Sequence, residues 1–313
     1  MNIITKKEFG YHGEIIKKTY FEGWYYKITS EEFSLAIIIG VNKNTEDDHG
    51  FIQTLDTISG KEQYVRFSMR EVHITNEPFC IRVGNNYFSQ DTIKLNIQKD
   101  INVRVNVKLG NQHMLDSSLY APTIMGPFSY IPRMECIHTV YSLYHQVIGN
   151  ITINDKKIST LHSIGYMEKD RGTSFPKQYF WLQSNHVNVP KKASIFLSIA
   201  SIPLKITKFT GIIMVLMLGE KQLRFGSYYG AKVKVLKQID NKGYKIIITQ
   251  GEYKVCLKVY LGRTHALAAP TVGEMTHTVH ETLEAKAVVH VYKKERVIEN
   301  LVFSHAGCEV RGY

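Results

Sequence analysis

Two halves of this chain carry the same ordered series of strand motifs, and that repeat limits the fold more than any single segment does. GWYYK at Gly23 corresponds in pattern to YFWLQ at Tyr179, and FSLAIIIG at Phe33 corresponds to SIFLSIAS at Ser194. The runs beginning at His49 and Thr92 then parallel those beginning at Thr210 and Tyr244. HTVYSL at His138 matches HTVHETL at His277, and the closing GYME at Gly165 matches GCE at Gly307. A unit of roughly 150 residues is read as duplicated. The expected domains are residues 1–172 and 173–313.

Within each unit, short runs rich in Val, Ile, Tyr and Phe alternate with turn signals, and helical periodicity is scarce. The expected fold class is all-β and antiparallel. Eight or nine strands per unit suffice to close a small barrel around side chains or one small ligand. Strand counting leaves a pair of sandwiches open, but the supply of aromatics favours barrels with a ligand-filled interior. Two long strands are expected at Tyr64–His73 and Leu223–Leu236.

Charge and cysteine usage narrow the function classes. The formal net charge is +11, yet the lysines lie in scattered doublets such as Lys17-Lys18 and Lys191-Lys192, and no reader motif accompanies them. No nucleic-acid partner is expected; peripheral contact with an anionic membrane surface is compatible with the charge. Cys80, Cys136, Cys256 and Cys308 form no CxxC pair, so neither a structural zinc site nor a redox dithiol is signalled. The first residues lack the apolar core of a signal peptide, and Pro203, Lys205 and Lys208 interrupt the longest apolar stretch. A cytoplasmic location is expected. HExxH, GxGxxG, GxxxxGKS and GxSxG are all absent, so neither a metal nor another cofactor is expected.

Ionisable groups are instead concentrated between Gly126 and Asn185. Glu135, His138, Glu168, Asp170, Gln183 and Asn185 stand there among Phe128, Tyr130, Tyr166, Tyr179 and Trp181, a mixture that suits a lined cavity. GPFSYIPRMECIHTVYS and GYMEKDRGTSFPKQYFWLQSN together resemble the paired signature of the tocopherol cyclase family. YFEGWYYK at Tyr20, LAAPTVGEM and HETLEA at His280 resemble its flanking motifs, so the resemblance spans nearly the whole chain. It implies tandem lipocalin-like barrels and cofactor-independent ring closure. In that reaction the alkene of a prenylated hydroquinone is protonated, and the phenolic oxygen closes onto the carbocation to give a chromanol. Two positions depart from the family pattern: Arg171 and Tyr130 stand where Trp is usual. The arginine is expected to alter the polar end of the substrate.

Alkene protonation requires a carboxylic acid that stays neutral near pH 7, which an apolar site arranges by raising its pKa. Strand alternation places Tyr166, Glu168 and Asp170 on one face, and two neighbouring carboxylates push their pKa values apart. Glu168 is the expected donor. Glu135 and His138 are candidates for relaying the phenolic proton, and Asp170 and Tyr166 complete the catalytic set. Trp24, Phe128, Tyr130 and Trp181 are expected to line the substrate and offer ring faces to the cation, with Gln183 and Asn185 as hydrogen-bonding groups. The expected partner is an amphiphilic prenylated or terpenoid small molecule. A lipocalin-type carrier without chemistry, and a hydratase or isomerase acting on a polyene, remain alternatives. Gly10-Tyr11-His12-Gly13 is expected to be a mobile entry segment.

Overall fold

The computed structural model describes residues 7–14, 19–44, 46–131, 134–204, 207–272 and 274–313. Lys17, Lys18 and Lys205, and Pro132 and Arg133 of the signature, lie outside them. Among the described residues, two antiparallel sheets account for nearly all of the regular structure: 12 strands between Tyr20 and Gly172, and 11 between Tyr179 and Arg311. In each, the first strand lies between the last strand and an early neighbour. Tyr20–Thr29 lies between Ser34–Lys43 and Ile164–Gly172, as Tyr179–Ser184 lies between Ala193–Leu204 and Arg296–Arg311. The two end strands of each sheet are consecutive in the chain, so each sheet curls round to bring its edges to one corner. This is the lipocalin-like barrel expected from the sequence.

Those corners correct two strand expectations. Tyr64–His73 is broken into Lys61–Ser68 and Val72–Asn76 by a 3-10 turn at Met69–Glu71. A capping box holds it, because the Ser68 hydroxyl and the Glu71 carboxylate satisfy each other's end of the turn. Leu223–Leu236 is likewise broken at Ser227–Tyr229, where Gly230 takes up a left-handed φ of 79°. β-branched content carried the pattern through both corners, and the turn chemistry overrode it.

Each barrel interior is packed with side chains. Trp24, Tyr26 and Ile28 point into the first barrel with Ile37, Ile39 and Val105, while Phe180 and Leu182 point into the second with Ile195, Leu197 and Val289. The expected ligand-filled barrel is therefore not what forms. Alternation sends the intervening residues outward, and these outward faces pack against each other in a third core. Tyr25, Val140 and Tyr166 come from the first sheet, Trp181, Phe196 and Val279 from the second. Every residue of Tyr20–Thr29 is consequently buried, one face in its own barrel and the other against the second. Lys27 stitches the two together: its Nζ donates to Gln183 Oε1 at 3.1 Å and to the carbonyl oxygen of His305 at 2.5 Å.

The segment around Gly10-Tyr11-His12-Gly13 is a plug rather than a mobile entry. Phe9 is fully buried against Tyr141 and Phe79, and its carbonyl accepts from Trp24 Nε1 at 2.7 Å. A buried ion pair anchors it. Lys169 Nζ lies 2.5 Å from Glu22 Oε1 and also donates to the carbonyls of Glu8 and Gly10, while Glu22 accepts from the backbone N–H groups of His12 and Gly13. Burial pulls Lys169 down to about 8. It works against ionisation of Glu22 too, but the Lys169 charge and the His12 bonds prevail and hold that carboxyl down at about 2. Both groups are charged at neutral pH.

Candidate active site

Between the two barrels lies a cavity of about 180 Å³, lined mostly by apolar side chains. Its polar floor follows from strand register. In the first sheet, Glu168, Tyr25, Ile38 and Gln53 form one row across four strands, and His138, Asp170 and Gly23 belong to the next row. In the second sheet the row is Glu281, Glu309, Trp181 and Ser198. All these residues line the cavity. Glu168 opposite Tyr25 thus has its counterpart in Glu309 opposite Trp181.

The floor is a hydrogen-bonded set of acids and one imidazole. Asp170 Oδ1 lies 2.8 Å from His138 Nδ1 and accepts from Cys136 Sγ at 3.4 Å. Tyr166 donates to Glu168 Oε2 at 2.5 Å. Glu168 Oε2 is 3.3 Å from His138 Nε2, an ion-pair distance without hydrogen-bond alignment, so Nε2 has no hydrogen-bond partner. Burial opposes protonation of His138, but the charges of Asp170 and Glu168 prevail and carry it up to about 10. His138 is an imidazolium stacked at 4.8 Å on Phe196.

On the opposite wall, Tyr25 donates to Glu281 Oε1 at 2.8 Å and Tyr179 to Glu309 Oε2 at 2.7 Å. Glu281 and Glu309 are direct cross-strand neighbours, an unfavourable placement for two charges. Burial pushes Glu281 well above the usual carboxylate range, and the charge of Glu309 adds to the effect. Burial likewise lifts Glu309 to about 7, against the pull of the Tyr179 bond and helped by Glu168 and Asp170. Glu281 Oε2 and Trp181 Nε1, like His138 Nε2, are buried without a hydrogen-bond partner. Native interiors leave few such groups, and these three lie around one cavity.

Of the sequence-expected residues, Glu168, His138, Asp170, Phe128 and Trp181 line the cavity, and Tyr166 supports Glu168 from behind. Five do not. Trp24 faces the interior of the first barrel, because it alternates with Tyr25. Tyr130 is 60% exposed and donates to the carbonyl of Leu119. Glu135 precedes the strand Cys136–Ile153 and closes a backbone turn with Thr173 and Ser174. Gln183 and Asn185 bond Lys27 and the carbonyl of Gly165 behind the cavity. Arg171 pairs with Glu8 at 3.1 Å beside the plug, so this departure from the family pattern lies away from the polar floor. Tyr25, Glu281 and Glu309 were missed. The signal for Glu281 lay in the repeat: it stands opposite Glu309 where the first copy has Val140 opposite Glu168, so the second copy carries an acid at a place that is apolar in the first.

His138, Glu168 and Asp170 place three donor atoms within 4.8 Å of one another, the one such group among the described residues. Glu168 also accepts from the Tyr166 hydroxyl, and Asp170 from Cys136 Sγ.

Fold and site define a two-barrel lipocalin-like protein with a largely apolar cavity between the barrels. The chain matches the tocopherol cyclase-like family over residues 122–312 and belongs to it. No curated protein matches the sequence. Among solved structures, CghA with Sch210972 is similar at TM-score 0.58 and 9% identity, covering 94% of this chain and 88% of that one. A protein described as AttH from Nitrosomonas europaea is similar at 0.55 and 12%, covering 97% and 95%. Kievitone hydratase from Nectria haematococca is similar at 0.54 and 12%, covering 100% and 93%. These likenesses are of fold. No helix among the described residues is long and apolar enough to cross a membrane.

Proposed function

We propose that the protein is a cofactor-independent cyclase that closes a prenylated hydroquinone to a chromanol by acid catalysis. The observation that carries this reading is an apolar cavity whose acids, imidazolium and three unpartnered polar atoms are gathered on its floor. Such a site takes an apolar molecule with an oxygen-bearing head. His138 Nε2 and Trp181 Nε1 donate to its oxygens, and Tyr25 and Trp181, with rings 5.7 Å apart, present faces to a carbocation.

The volume fits a head rather than a whole prenyl tail, since a cavity of about 150 Å³ holds one benzene ring. The aromatic ring and the first prenyl unit are what must be ordered for ring closure; the remaining tail lies toward the apolar mouth. The apolar lining supports intramolecular attack over capture by water, which separates this reading from a hydratase. Duplication of an ancestral barrel accounts for the matching strand order, and the unequal Val140 and Glu281 accommodate different roles in the two copies.

Incubation of purified protein with prenylated hydroquinones and with polyenes tests the assignment. Chromanol as the product supports it. A hydrated product, or tight binding without conversion, refutes it in favour of a hydratase or a carrier.

A further inference from the structure

We infer that Glu281, contributed by the second barrel, is the acid that protonates the alkene, and that Glu168 accepts the phenolic proton. The inference rests on the cyclase reading and reverses the expectation that Glu168 is the donor.

Four observations on geometry carry it. Glu281 is fully buried and lines the cavity. One oxygen, Oε1, is occupied by the Tyr25 hydroxyl, so the other, Oε2, is free of protein partners. Its cross-strand neighbour is another carboxyl, Glu309, which gives a carboxyl at this place a reason to keep its proton. Glu168 is placed differently, with the Tyr166 hydroxyl donating to it and the His138 ring beside it. A hydroxyl donor and a neighbouring imidazole ring at ion-pair distance suit a proton acceptor. The groups facing Glu281 are Tyr25 and Lys27 from Tyr20–Thr29, Glu168 from Ile164–Gly172, and Glu309 from Arg296–Arg311. Of these, the Tyr25 hydrogen bond and then Lys27 favour the anion, but burial and the charge of Glu309 outweigh them, and burial draws the pKa of Lys27 itself down to about 7.

The step balances without a co-reactant. The alkene π pair forms a C–H bond to the Glu281 proton, and the O–H pair stays on Glu281 as a carboxylate. A phenolic oxygen lone pair then forms the C–O bond to the cation. Its O–H bond breaks, the electrons return to oxygen, and the proton passes to Glu168. One proton is consumed and one released, so proton exchange from Glu168 through solvent to Glu281 resets the site.

Infrared difference spectroscopy at neutral pH, on the wild type and on Glu281→Gln and Glu168→Gln, reads the acid directly, and single-turnover assays with a prenylated hydroquinone read its role. The expected result is a neutral-carboxyl carbonyl band that is lost in Glu281→Gln and kept in Glu168→Gln. A fall in turnover of about 100- to 10,000-fold in Glu281→Gln, with substrate binding retained, is expected alongside it. A band lost in Glu168→Gln instead overturns the assignment, as does wild-type turnover that survives in Glu281→Gln. Absence of conversion by the wild type refutes the cyclase reading and the donor role together, while the band still reports whether Glu281 is neutral.

Discussion

Replacing Glu281 with Gln is expected to make the protein more stable at neutral pH, although the side chain is fully buried and bonded to Tyr25. In the unfolded chain this carboxyl ionises around its ordinary value of 4.5. In the folded protein burial and Glu309 keep it neutral well above that value. A raised folded pKa contributes stability at low pH that is lost as the pH rises above the unfolded value. At pH 7, about 2.5 pH units above 4.5, the forgone ionisation costs up to about 3 kcal/mol if the group is still neutral. Gln keeps a carbonyl oxygen for the Tyr25 bond and replaces one unpartnered polar atom by another, so the hydrogen-bonding terms nearly cancel. The variant should gain about 1 to 3 kcal/mol at pH 7 and little or nothing at pH 4.5. Urea unfolding of both proteins at the two pH values measures this. A variant less stable at pH 7, or a difference that does not grow between the two pH values, would refute the reasoning that Glu281 is held neutral at a cost in stability.

Other outcomes follow from the same geometry. His138, carried up to about 10 by Asp170 and Glu168, should show imidazolium NMR shifts that do not titrate between pH 6 and 8. Its contribution to stability is full below the ordinary value of 6.5 and is lost as the pH rises through about 10; an imidazole titrating near 6.5 contradicts the ion-pair geometry. Lys169→Met strands the buried Glu22 carboxylate and should cost about 3 to 5 kcal/mol in chemical unfolding, with proteolysis entering at the loosened plug. A loss below 1 kcal/mol shows that the pair does not anchor the segment. Gly307→Ala puts a methyl group 2.9 Å from the Trp181 ring, so substrate affinity should fall about tenfold or more as the ring shifts, and unchanged affinity argues against Trp181 as a cavity wall. Trp24→Phe should lower stability while leaving affinity unchanged, because its ring faces the first barrel's interior.

The barrels were legible because strand alternation, turn signals and repetition all point the same way along the chain. His138, Glu168 and Asp170 were legible because one strand's alternation and one motif contain most of what places them. What escaped was the third layer. Sequence alternation distinguishes the two faces of Tyr20–Thr29 but does not say that its outward face meets another barrel, so the sequence points to Trp24 and leaves Tyr25 unmarked. The same gap hid Glu281 and Glu309, whose acidity is set by cross-strand and inter-barrel neighbours far away in the sequence. Tyr130 and Arg171 drew attention as departures from a motif, and neither reaches the cavity floor.

Single turnover of a prenylated hydroquinone in deuterium oxide, with the product analysed by mass spectrometry and NMR, tests the central claim most directly. Protonation by an acid in exchange with solvent, followed by internal ring closure, predicts a chromanol bearing one deuterium on the prenyl carbon adjacent to the new C–O bond. A hydrated product, or unlabelled substrate recovered from a tight complex, would contradict it.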